Sequence, residues 1–361
     1  MFRKNNSWGF VLSTIEIRNL GKKFGYFVAL SDITLDVAEG EFVTLLGPSG
    51  CGKTTLLKMI SGFIEPTSGT IMIGGVDVTR VPPELRDTAM CFQSYALFPH
   101  LSVRENLLFG LKQKRLSKVE CSQRLESVSE TLELTQQLDK LPNQLSGGQQ
   151  QRVSLGRALA MRPGVILFDE PLSNLDAKLR QSVRTEIRRI QQHFNLTAIY
   201  VTHDQLEALA MSDRIFVMNA GRVVQCAKPQ DIYTKPNSSF IADFIGSANI
   251  FDAEVVSELS DGRWVLNSCF GQLVVKSEEE PRGKKIRACW RPEKVKLDGE
   301  GENKFQVQVH HTPYQGGFTD VFFTLDDQEF RAQITDLPSD SNGSMELSLQ
   351  PEDIILLEEL Q

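Results

Sequence analysis

The chain has 361 residues, of which 41% are hydrophobic and 24% charged, and its formal net charge is −7. This length and composition are those of an ordinary globular protein with room for two domains, and no apolar run reaches the ~18 residues that a membrane-spanning helix needs. The acidic balance argues against a nucleic-acid partner, because proteins that bind phosphate backbones usually carry a basic surplus.

The chain opens with an extension, residues 1–14, whose short apolar patch at residues 10–12 is too small for the hydrophobic region of a secretory signal. The six cysteines are scattered, and no two form a C-x-x-C pair. Free thiols in a reducing compartment are therefore favoured over a disulfide framework or a zinc site. These features predict a soluble protein that stays inside the cell.

Residues 15–245 alternate short apolar strands with amphipathic helices. The clearest strands are continuous apolar runs, as expected for strands covered on both faces of a parallel sheet. They occupy residues 42–46, 165–168, 198–201 and 215–218. Apolar side chains also recur at helical spacing over residues 179–194, with arginines on the other faces, which predicts a surface helix packed on the sheet. The pattern indicates an α/β domain.

Residues 47–54 read GPSGCGKT, a complete G-x-x-x-x-G-K-[ST] motif between an apolar strand and a helix. Backbone N–H groups of residues 50–54 are expected to cradle phosphates, Lys53 to neutralise charge on the β- and γ-phosphates, and Thr54 to give its hydroxyl to Mg²⁺. The alternative is an ordinary glycine turn before a helix. The motif predicts a P-loop ATPase with ATP and Mg²⁺ bound, and its nucleotide-binding residues are Gly47, Pro48, Ser49, Gly50, Cys51, Gly52, Lys53, Thr54 and Thr55.

A second glycine-containing segment, LSGGQQQRV, occupies residues 145–153. Adjacent glycines before a row of polar helix formers are typical of a phosphate-holding helix start, because a ligand can approach backbone N–H groups that carry partial positive charge. The chain therefore carries two segments of phosphate-binding type, although one nucleotide needs only one.

Two acids end the apolar run VILFDEP at residues 165–171. Asp169 is expected at the carboxyl end of a buried parallel strand, where α/β sheets bind ligands and where a carboxylate can hold Mg²⁺. Glu170 is then positioned to polarise an attacking water molecule. A solvated turn is the alternative for an isolated Asp-Glu pair, and the phosphate loop upstream favours the functional interpretation.

Beyond residue 246 the pattern changes to short alternating runs separated by Gly, Pro, Asp and Asn, without helical periodicity. These runs read QLVVK, IRACW, KFQVQVHH, DVFFTL and DIILL. Alternation at this spacing predicts a small antiparallel, barrel-like β domain over residues 246–361, attached to the α/β ATPase domain.

The phosphate loop, the LSGGQ segment and the strand ending in Asp-Glu, in this order, resemble the nucleotide-binding subunit of ABC transporters. In that family the LSGGQ helix start closes on the γ-phosphate held by a second subunit, so that two chains sandwich two ATP molecules. The resemblance implies a homodimer in which Ser146, Gly147, Gly148 and Gln149 contact the ATP of the partner copy.

Two further positions of the family match residues close to the expected catalytic centre. Gln93, in CFQSYALFPH, corresponds to the glutamine that reaches Mg²⁺ and water and borders the docking site of the membrane subunit. His203, directly after AIYVT, corresponds to the histidine that contacts the γ-phosphate and steadies Glu170. The resemblance implies that Glu170, His203 and Gln93 are catalytic, with Gln93 also a metal ligand.

The remaining family positions match residues expected at the dimer interface and at the adenine of ATP. Asp176, in SNLDAKLR, corresponds to the acidic loop that crosses the dimer interface. Phe24, in KKFGY, occupies the place of the aromatic residue that stacks on adenine. Tyr26 is a rival for that place, and either ring could instead serve packing.

The segments FQSYALFPHLSVRENLLFGL and QLSGGQQQRV and a β tail with WRPEKVKL resemble the ATPase subunits of bacterial importers for polyamines, ferric iron, sulfate, phosphonates and sugars such as maltose. In those relatives the tail is an oligonucleotide/oligosaccharide-binding-type (TOBE-like) β domain that contributes dimer contacts and sometimes regulation. The RPE in this segment fits a salt-linked turn between strands equally well.

The resemblance implies a peripheral ATPase on the cytoplasmic face of the inner membrane. Its partners would be two membrane-spanning permease subunits and, indirectly, an extracytoplasmic solute-binding protein. Among the solutes, the overall character of the sequence favours spermidine or putrescine, with ferric iron, phosphonate, sulfate or sugar as alternatives. No residue reports on the solute directly, because the solute does not touch this subunit.

Proteins of other classes share parts of the pattern. A chromosome-maintenance or DNA-repair ATPase of the same chemistry should carry a long heptad coiled coil between residues 47 and 146, and none is visible. A translation factor of the superfamily should contain two phosphate loops in one chain. An exporter of the family should normally contain fused membrane spans. A pure binding module would not need Lys53, Asp169 and Glu170 together. The importer ATPase is therefore favoured.

Overall fold

The computed structural model describes residues 12–173, 175–277, 279–297, 299, 301–338 and 343–357. The expected N-terminal extension, residues 1–14, lies outside the described residues except for its last three. The chain divides into two units, residues 1–229 and 230–361. This division falls earlier in the chain than the predicted boundary between residues 245 and 246. Within the described ranges, no helix is long and apolar enough to cross a membrane.

The first unit contains two sheets and the helices between their strands. Its strands are β1 (Ile15–Phe24), β2 (Phe27–Val37), β3 (Phe42–Leu46), β4 (Ser68–Ile73), β5 (Val76–Asp77), β6 (Thr88–Cys91), β7 (Val165–Asp169), β8 (Thr197–Thr202), β9 (Arg214–Asn219) and β10 (Arg222–Ala227). Its helices are α1 (Lys53–Ser61), α2 (Val103–Gln113), α3 (Lys118–Thr131), α4 (Gly147–Ala160), α5 (Ala177–Phe194) and α6 (Gln205–Met211). The four strands and the surface helix predicted from periodicity are confirmed.

The larger sheet has the order β10-β9-β3-β8-β7-β6. Strands β9, β3, β8, β7 and β6 pair in parallel with their neighbours in this order. Strand β10 runs antiparallel to β9. Strands β3 and β8 are buried at every position, which explains their continuous apolar sequences. The smaller sheet, β2-β1-β4-β5, is antiparallel.

Alternate residues of the parallel strands enter two separate cores. On one face, Phe42, Phe168 and Tyr200 pack with apolar residues of α2, α3, α4 and α5. On the other face, Leu45 and Leu167 pack with α1 and with the smaller sheet. Because strand side chains alternate between faces, α1 and α4 lie on opposite sides of the parallel sheet.

The second unit is an antiparallel β structure preceded by two short helices. The helices are α7 (Pro229–Thr234), which begins at the boundary, and α8 (Ser239–Phe244). The strands are β11 (Asn249–Glu258), β12 (Arg263–Ser268), β13 (Gly271–Lys276), β14 (Lys285–Trp290), β15 (Lys296–Leu297), β16 (Asn303–His311), β17 (Thr319–Leu325), β18 (Gln328–Ile334), β19 (Ser344–Leu349) and β20 (Ile354–Leu357). They form two five-stranded sheets, β13-β12-β11-β14-β20 and β15-β19-β16-β17-β18. The predicted all-β tail is confirmed.

Both sheets of the second unit contribute to one aromatic core. Strand β16 shows why, since its buried and exposed positions alternate over most of its length and direct every second side chain inward. The rings of this core lie with centroids 4.8–6.5 Å apart. They belong to Phe251, Phe270, Trp290, Phe305, Phe323 and Phe330.

Arg291, in the RPE segment after β14, is 2% exposed. Its guanidinium donates hydrogen bonds to the carbonyl oxygens of Tyr233 at 2.7 Å, of Ala242 at 2.8 Å and of Ile245. It also lies over the Tyr233 ring, 4.2 Å from the centroid, and the Tyr233 hydroxyl donates to Glu293 at 2.7 Å. The segment therefore anchors the two helices to the β unit, and it also turns the chain between β14 and β15, as the sequence allowed. This explains why the division of the chain precedes these helices.

We expect Arg291→Met to lower the free energy of unfolding of the second unit by about 2–4 kcal/mol, because three buried carbonyls lose a charged donor. Urea unfolding followed by tryptophan fluorescence measures this, since Trp264 and Trp290 both lie in this unit. The matched control is Arg287→Met, whose ion pair with Asp252 is exposed and should contribute about 0.5 kcal/mol or less. Equal effects of the two variants would contradict the anchoring role.

Candidate functional site

The residues singled out from the sequence gather where adjacent parallel strands end. Residues 47–52 follow β3, Gln93 follows β6, Asp169 ends β7 and Glu170 follows it, and His203 follows β8. Strands β3, β8, β7 and β6 are neighbours in this order. Because parallel strands end at the same edge of a sheet, these segments share one edge, which is where ligands bind in α/β folds.

The loop of residues 47–52 leads directly into the start of helix α1. Gly50 and Gly52 adopt left-handed φ angles of 81° and 105°, which favour glycine. Gly52 is the N-cap of α1 and supplies no side-chain cap, so the first N–H groups of α1 face the loop. Such an arrangement attracts anions through both the N–H groups and the helix dipole.

Lys53 places a buried positive charge inside this loop. Its ammonium donates hydrogen bonds to the carbonyl oxygens of Gly47 at 2.8 Å and Pro48 at 3.0 Å, and its side chain is 5% exposed. Cys51 is also buried, and burial raises the pKa of its thiol. Cys51 is therefore a small neutral filler beside the ammonium, and Lys53 is the charged group of the loop.

Thr54 and Asp169 bring two oxygen atoms together from different elements. The Thr54 hydroxyl, in the first turn of α1, donates to Asp169 Oδ1 at 3.3 Å. Burial raises the pKa of Asp169, while the Thr54 hydrogen bond and the charges of Lys58 and Lys53 act in the opposite direction. A hydroxyl and a carboxylate oxygen are ligands that Mg²⁺ accepts, so the donor set fits this metal.

Glu170 is held in a strained backbone conformation and faces His203. Its φ angle is 44°, and its N–H donates to the carbonyl of Val201 at 3.1 Å. The Ser173 hydroxyl donates to the Glu170 carbonyl at 3.0 Å. Glu170 Oε2 lies 3.1 Å from His203 Nδ1, and the carboxylate is 23% exposed. A positive φ in a non-glycine residue typically costs about 1–3 kcal/mol and concentrates at functional sites. The geometry aims a carboxylate and an imidazole at the same edge of the sheet.

Gln93 lies on an exposed segment that is tied to α4. Tyr95 and Ala96, just beyond it, both have left-handed φ angles, 59° and 48°. The Ser154 hydroxyl donates to the Tyr95 carbonyl at 3.0 Å, and Arg157 donates to the Ala96 carbonyl at 2.7 Å. Sequence reasoning missed Ser154 and Arg157. Their only signal in the sequence is a spacing of three residues, close to one turn, on the helix that begins within LSGGQ.

The LSGGQ segment forms the start of α4. Ser146 is its N-cap, accepting from the Gln149 N–H at 3.3 Å, while Gln149 Oε1 accepts from the Ser146 N–H at 3.0 Å. The two side chains thus form a reciprocal capping box. Gly147 and Gly148 supply the N–H groups between them, and Ser146 is exposed. The segment is therefore a rigid, solvent-facing helix start.

Asp176 lies beside this helix start. It is the exposed N-cap of α5, and its Oδ1 accepts from the Leu179 N–H at 3.0 Å. A methyl group added at Gly148 would come within 3.2 Å of Leu179, which shows how closely α4 and α5 approach. Helix α1 packs on the face of the sheet opposite α4 and α5.

Phe24 and Tyr26 lie at the hairpin between β1 and β2. Phe24 is half exposed with the Lys22 ammonium 4.9 Å from its ring centroid, and Tyr26 is fully exposed. Strand β2 approaches the loop of residues 47–52, because a Cβ on Gly52 would lie 2.6 Å from Leu30. Both rings are therefore exposed at the end of a hairpin whose second strand packs against this loop.

Two known sequence profiles match parts of this chain. The sequence profile described as ABC transporter matches residues 30–173, and one described as TOBE domain matches residues 288–357. The Fe(3+) ions import ATP-binding protein FbpC of Photobacterium profundum is 43% identical over 348 residues, 95% of this chain and 97% of that protein. The protein of the same name from Escherichia coli O157:H7 is 42% identical over 95% of this chain and 97% of that protein. The one from Agrobacterium fabrum is 47% identical over 84% of this chain and 86% of that protein.

A solved structure shares the fold of the first unit. The structure of cbiO1 from Clostridium perfringens, described as part of the ABC transporter complex cbiONQ, is 27% identical with a TM-score of 0.57. The match covers 60% of this chain and 89% of that chain.

The two left-handed glycines of the loop differ in the space around them, which gives a test of the packing. We expect Gly50→Ala to lower the free energy of unfolding by about 1 kcal/mol through backbone strain alone, since nothing lies within 4 Å of the added Cβ. Gly52→Ala adds a clash with buried Leu30 and should cost about 1–3 kcal/mol more. Urea unfolding of both variants measures the difference, and equal midpoints would contradict the close contact between α1 and β2.

Proposed function

The chain belongs to the ABC transporter family as an ATP-hydrolysing import subunit, and from that membership we propose that the solute whose import it drives is ferric iron. Three relatives that are 42–47% identical over most of their length carry Fe(3+) import in their names. These comparisons favour ferric iron over the polyamine that the texture of the sequence suggested. The polyamine preference rested on the overall character of the sequence and on no residue that contacts the solute, so it did not separate the solutes.

We propose that residues 47–55 bind the phosphates of ATP and that Phe24, or its rival Tyr26, stacks on the adenine. The helix start at Gly52 offers N–H groups, and Lys53 provides the positive charge for the β- and γ-phosphates. The exposure of both rings supports this proposal, because an exposed aromatic face is available for stacking on a base.

We propose that Thr54, Asp169 and Gln93 hold Mg²⁺ together with the phosphates. The contact between Thr54 and Asp169 supports this, because it places two hard oxygen donors between the phosphate loop and the end of β7. When bound, the ion neutralises charge on the phosphoryl group. Asp169 supplies a carboxylate whose burial makes a positive partner favourable.

The observation that carries the proposed hydrolysis is the contact between Glu170 and His203 at the same edge as the phosphate loop. In this proposal, Glu170 orients the attacking water and accepts its proton, while His203 holds the carboxylate and contacts the γ-phosphate. The strained turn at Glu170, fixed through Val201 and Ser173, keeps the carboxylate in place before the nucleotide arrives.

We propose that the phosphate donors at Ser146, Gly147, Gly148 and Gln149 serve the ATP of a second copy. Their helix lies on the face of the sheet opposite α1, beside Asp176, so one surface presents both groups to a partner. ATP would then complete the interface by supplying the anion between two positively polarised helix starts, and hydrolysis would weaken it. The dimer is therefore an ATP-controlled gate.

As an import subunit, the chain is proposed to sit at the cytoplasmic face of the inner membrane on two permease subunits. The exposed segment around Gln93 is the proposed contact with them, because Gln93 links that surface to the end of β6. An extracytoplasmic protein would deliver the solute without touching this chain.

We expect Glu170→Gln to retain ATP binding and to lower ATP turnover by roughly 10²- to 10⁴-fold, because the amide cannot accept the proton of water. A phosphate-release assay measures turnover, and labelled-ATP binding measures occupancy. The control is Glu126→Gln on the exposed face of α3, which should turn over like wild type. In sedimentation at saturating Mg-ATP, the Glu170→Gln protein should form dimers. Wild-type turnover in this variant would contradict the role given to Glu170.

Uptake of radiolabelled ferric iron tests the solute. In cells of the source organism that lack this chain, we expect iron uptake to disappear and to return with wild type but not with Glu170→Gln, because transport requires hydrolysis. Putrescine, spermidine, sulfate, aminoethylphosphonate and maltose serve as parallel solutes. Loss of one of these uptakes with unchanged iron uptake would replace iron by that solute and leave the ATPase assignment standing.

A further inference from the structure

Arg180, in the first turn of α5, contacts two segments that carry residues of the proposed ATPase site. Its Nη2 donates a hydrogen bond to the carbonyl oxygen of Leu175 at 3.0 Å, and its Nη1 lies 3.5 Å from Asp204 Oδ2. Leu175 directly precedes Asp176, and Asp204 directly follows His203. One guanidinium therefore joins the start of α5 to the turn that holds the candidate histidine.

The Leu175 end of this link belongs to the surface that is proposed to face a second copy. Leu175 is buried, and a Cβ added to Gly147 would lie 3.5 Å from its Cδ2 atom, which is van der Waals contact. Asp176, the next residue, is the exposed N-cap of α5. A displacement of the LSGGQ segment or of Asp176 would therefore move the carbonyl to which Arg180 is bonded, because close-packed interiors transmit displacement.

The Asp204 end of the link fixes the turn after β8. Asp204 Oδ1 accepts from the N–H groups of Leu206 at 2.8 Å and Glu207 at 3.3 Å, so that Asp204 is the N-cap of α6. Its own N–H donates to the Thr202 hydroxyl oxygen at 2.9 Å, and that hydroxyl donates to buried Glu207 at 2.7 Å. His203 lies between two residues that are both tied to α6. The place of its imidazole therefore depends on how this turn is held from α5.

The guanidinium is not fully satisfied in this position. Arg180 Nε is buried and has no hydrogen-bond partner among the described residues. A buried donor without an acceptor typically costs about 1–3 kcal/mol, and more where the donor is charged. The ion pair with Asp204 is partly exposed, with 35% and 26% of the two side chains accessible, and such pairs contribute little stability. This balance is poor for a purely stabilising contact and favours a role in the site.

We propose that Arg180 is a positioning residue for His203, and that it sets the imidazole according to the place of Leu175 and Asp176. This inference rests on the function proposed above for His203 and for the surface around Asp176. A second copy that packs on this surface fixes the Leu175 carbonyl, and the guanidinium then holds Asp204 and the preceding histidine in the place where the imidazole meets Glu170. ATP binding does not depend on Arg180, because residues 47–55 are proposed to hold the phosphates.

Turnover and ATP binding of the full-length protein separate positioning from loss of folding. Arg180→Met should lower kcat by at least ~10-fold, because a displaced catalytic group loses its geometry, while the affinity for labelled ATP stays within ~2-fold of wild type. The control is Arg189→Met, an exposed arginine of the same helix, which should turn over like wild type. Wild-type kcat in Arg180→Met, or a loss of ATP binding equal to the loss of kcat, would overturn the proposal.

A second background tests whether Arg180 acts through His203. In the His203→Ala protein, the further change Arg180→Met should lower kcat by no more than ~2-fold, because the group that Arg180 positions is already absent. Asp204→Asn should resemble Arg180→Met, since asparagine still caps a helix but removes the charge that faces the guanidinium. Equal losses from Arg180→Met with and without His203 would show that Arg180 acts elsewhere and would overturn the proposal.

Hydrogen exchange of the full-length protein without nucleotide measures the link independently of hydrolysis. In Arg180→Met, amides of peptides that contain His203 and Leu206 should exchange at least ~3-fold faster than in wild type, while peptides of α1 should not change. Unchanged exchange around His203 would overturn the proposal. Faster exchange together with wild-type turnover of the His203→Ala protein would contradict the proposed role of His203 in hydrolysis and would retain the link itself.

Discussion

The candidate site depends on the parallel register of four neighbouring strands. Cys91 pairs with Phe168, Asp169 with Val201, and Leu46 with Thr202, so four segments that are distant in sequence end at one level. The same register lets the Glu170 N–H reach the carbonyl of Val201 and brings its carboxylate to His203. A slip of one residue would turn Asp169 into the core and a buried apolar side chain toward the ligand edge. The buried apolar faces therefore fix the position of the polar residues.

A second constraint is that the sheet has two covered faces. One face holds α1 and its phosphate loop, while the other holds α4 and α5 with Ser146 and Asp176 at their starts. Both helix starts are suited to an anion, and their helices pack on opposite faces of the sheet. A single nucleotide in one chain would use only the first. The separation gives a physical reason for the dimer that the family resemblance implies, because a second copy can bring its α4 to the phosphate held by the first.

The sequence predicted the features that depend on local pattern. Apolar runs and the G-x-x-x-x-G-K-T motif identified the central strands, the loop and α1, and alternation identified the β tail. The smaller antiparallel sheet, the strain at Glu170 and the anchoring of the helices by Arg291 were not predicted. Each depends on contacts between segments far apart in sequence, as in the bonds from Arg291 to Tyr233 and Ala242. The hydrogen bonds from Ser154 and Arg157 to the segment after Gln93 are of the same kind.

In the proposed mechanism, the adjacent acids Asp169 and Glu170 at the end of β7 link the binding of metal and ATP to ATP hydrolysis. Burial raises the pKa of Asp169, and the neighbouring Glu170 charge acts in the same direction. The Thr54 hydrogen bond and the nearby lysines offset this only in part, because the pKa remains above its ordinary value. A divalent cation bound with nucleotide would favour the ionised carboxylate and relieve the repulsion between the two acids. A divalent cation bound there would offset the cost of placing two adjacent carboxylates at the end of β7.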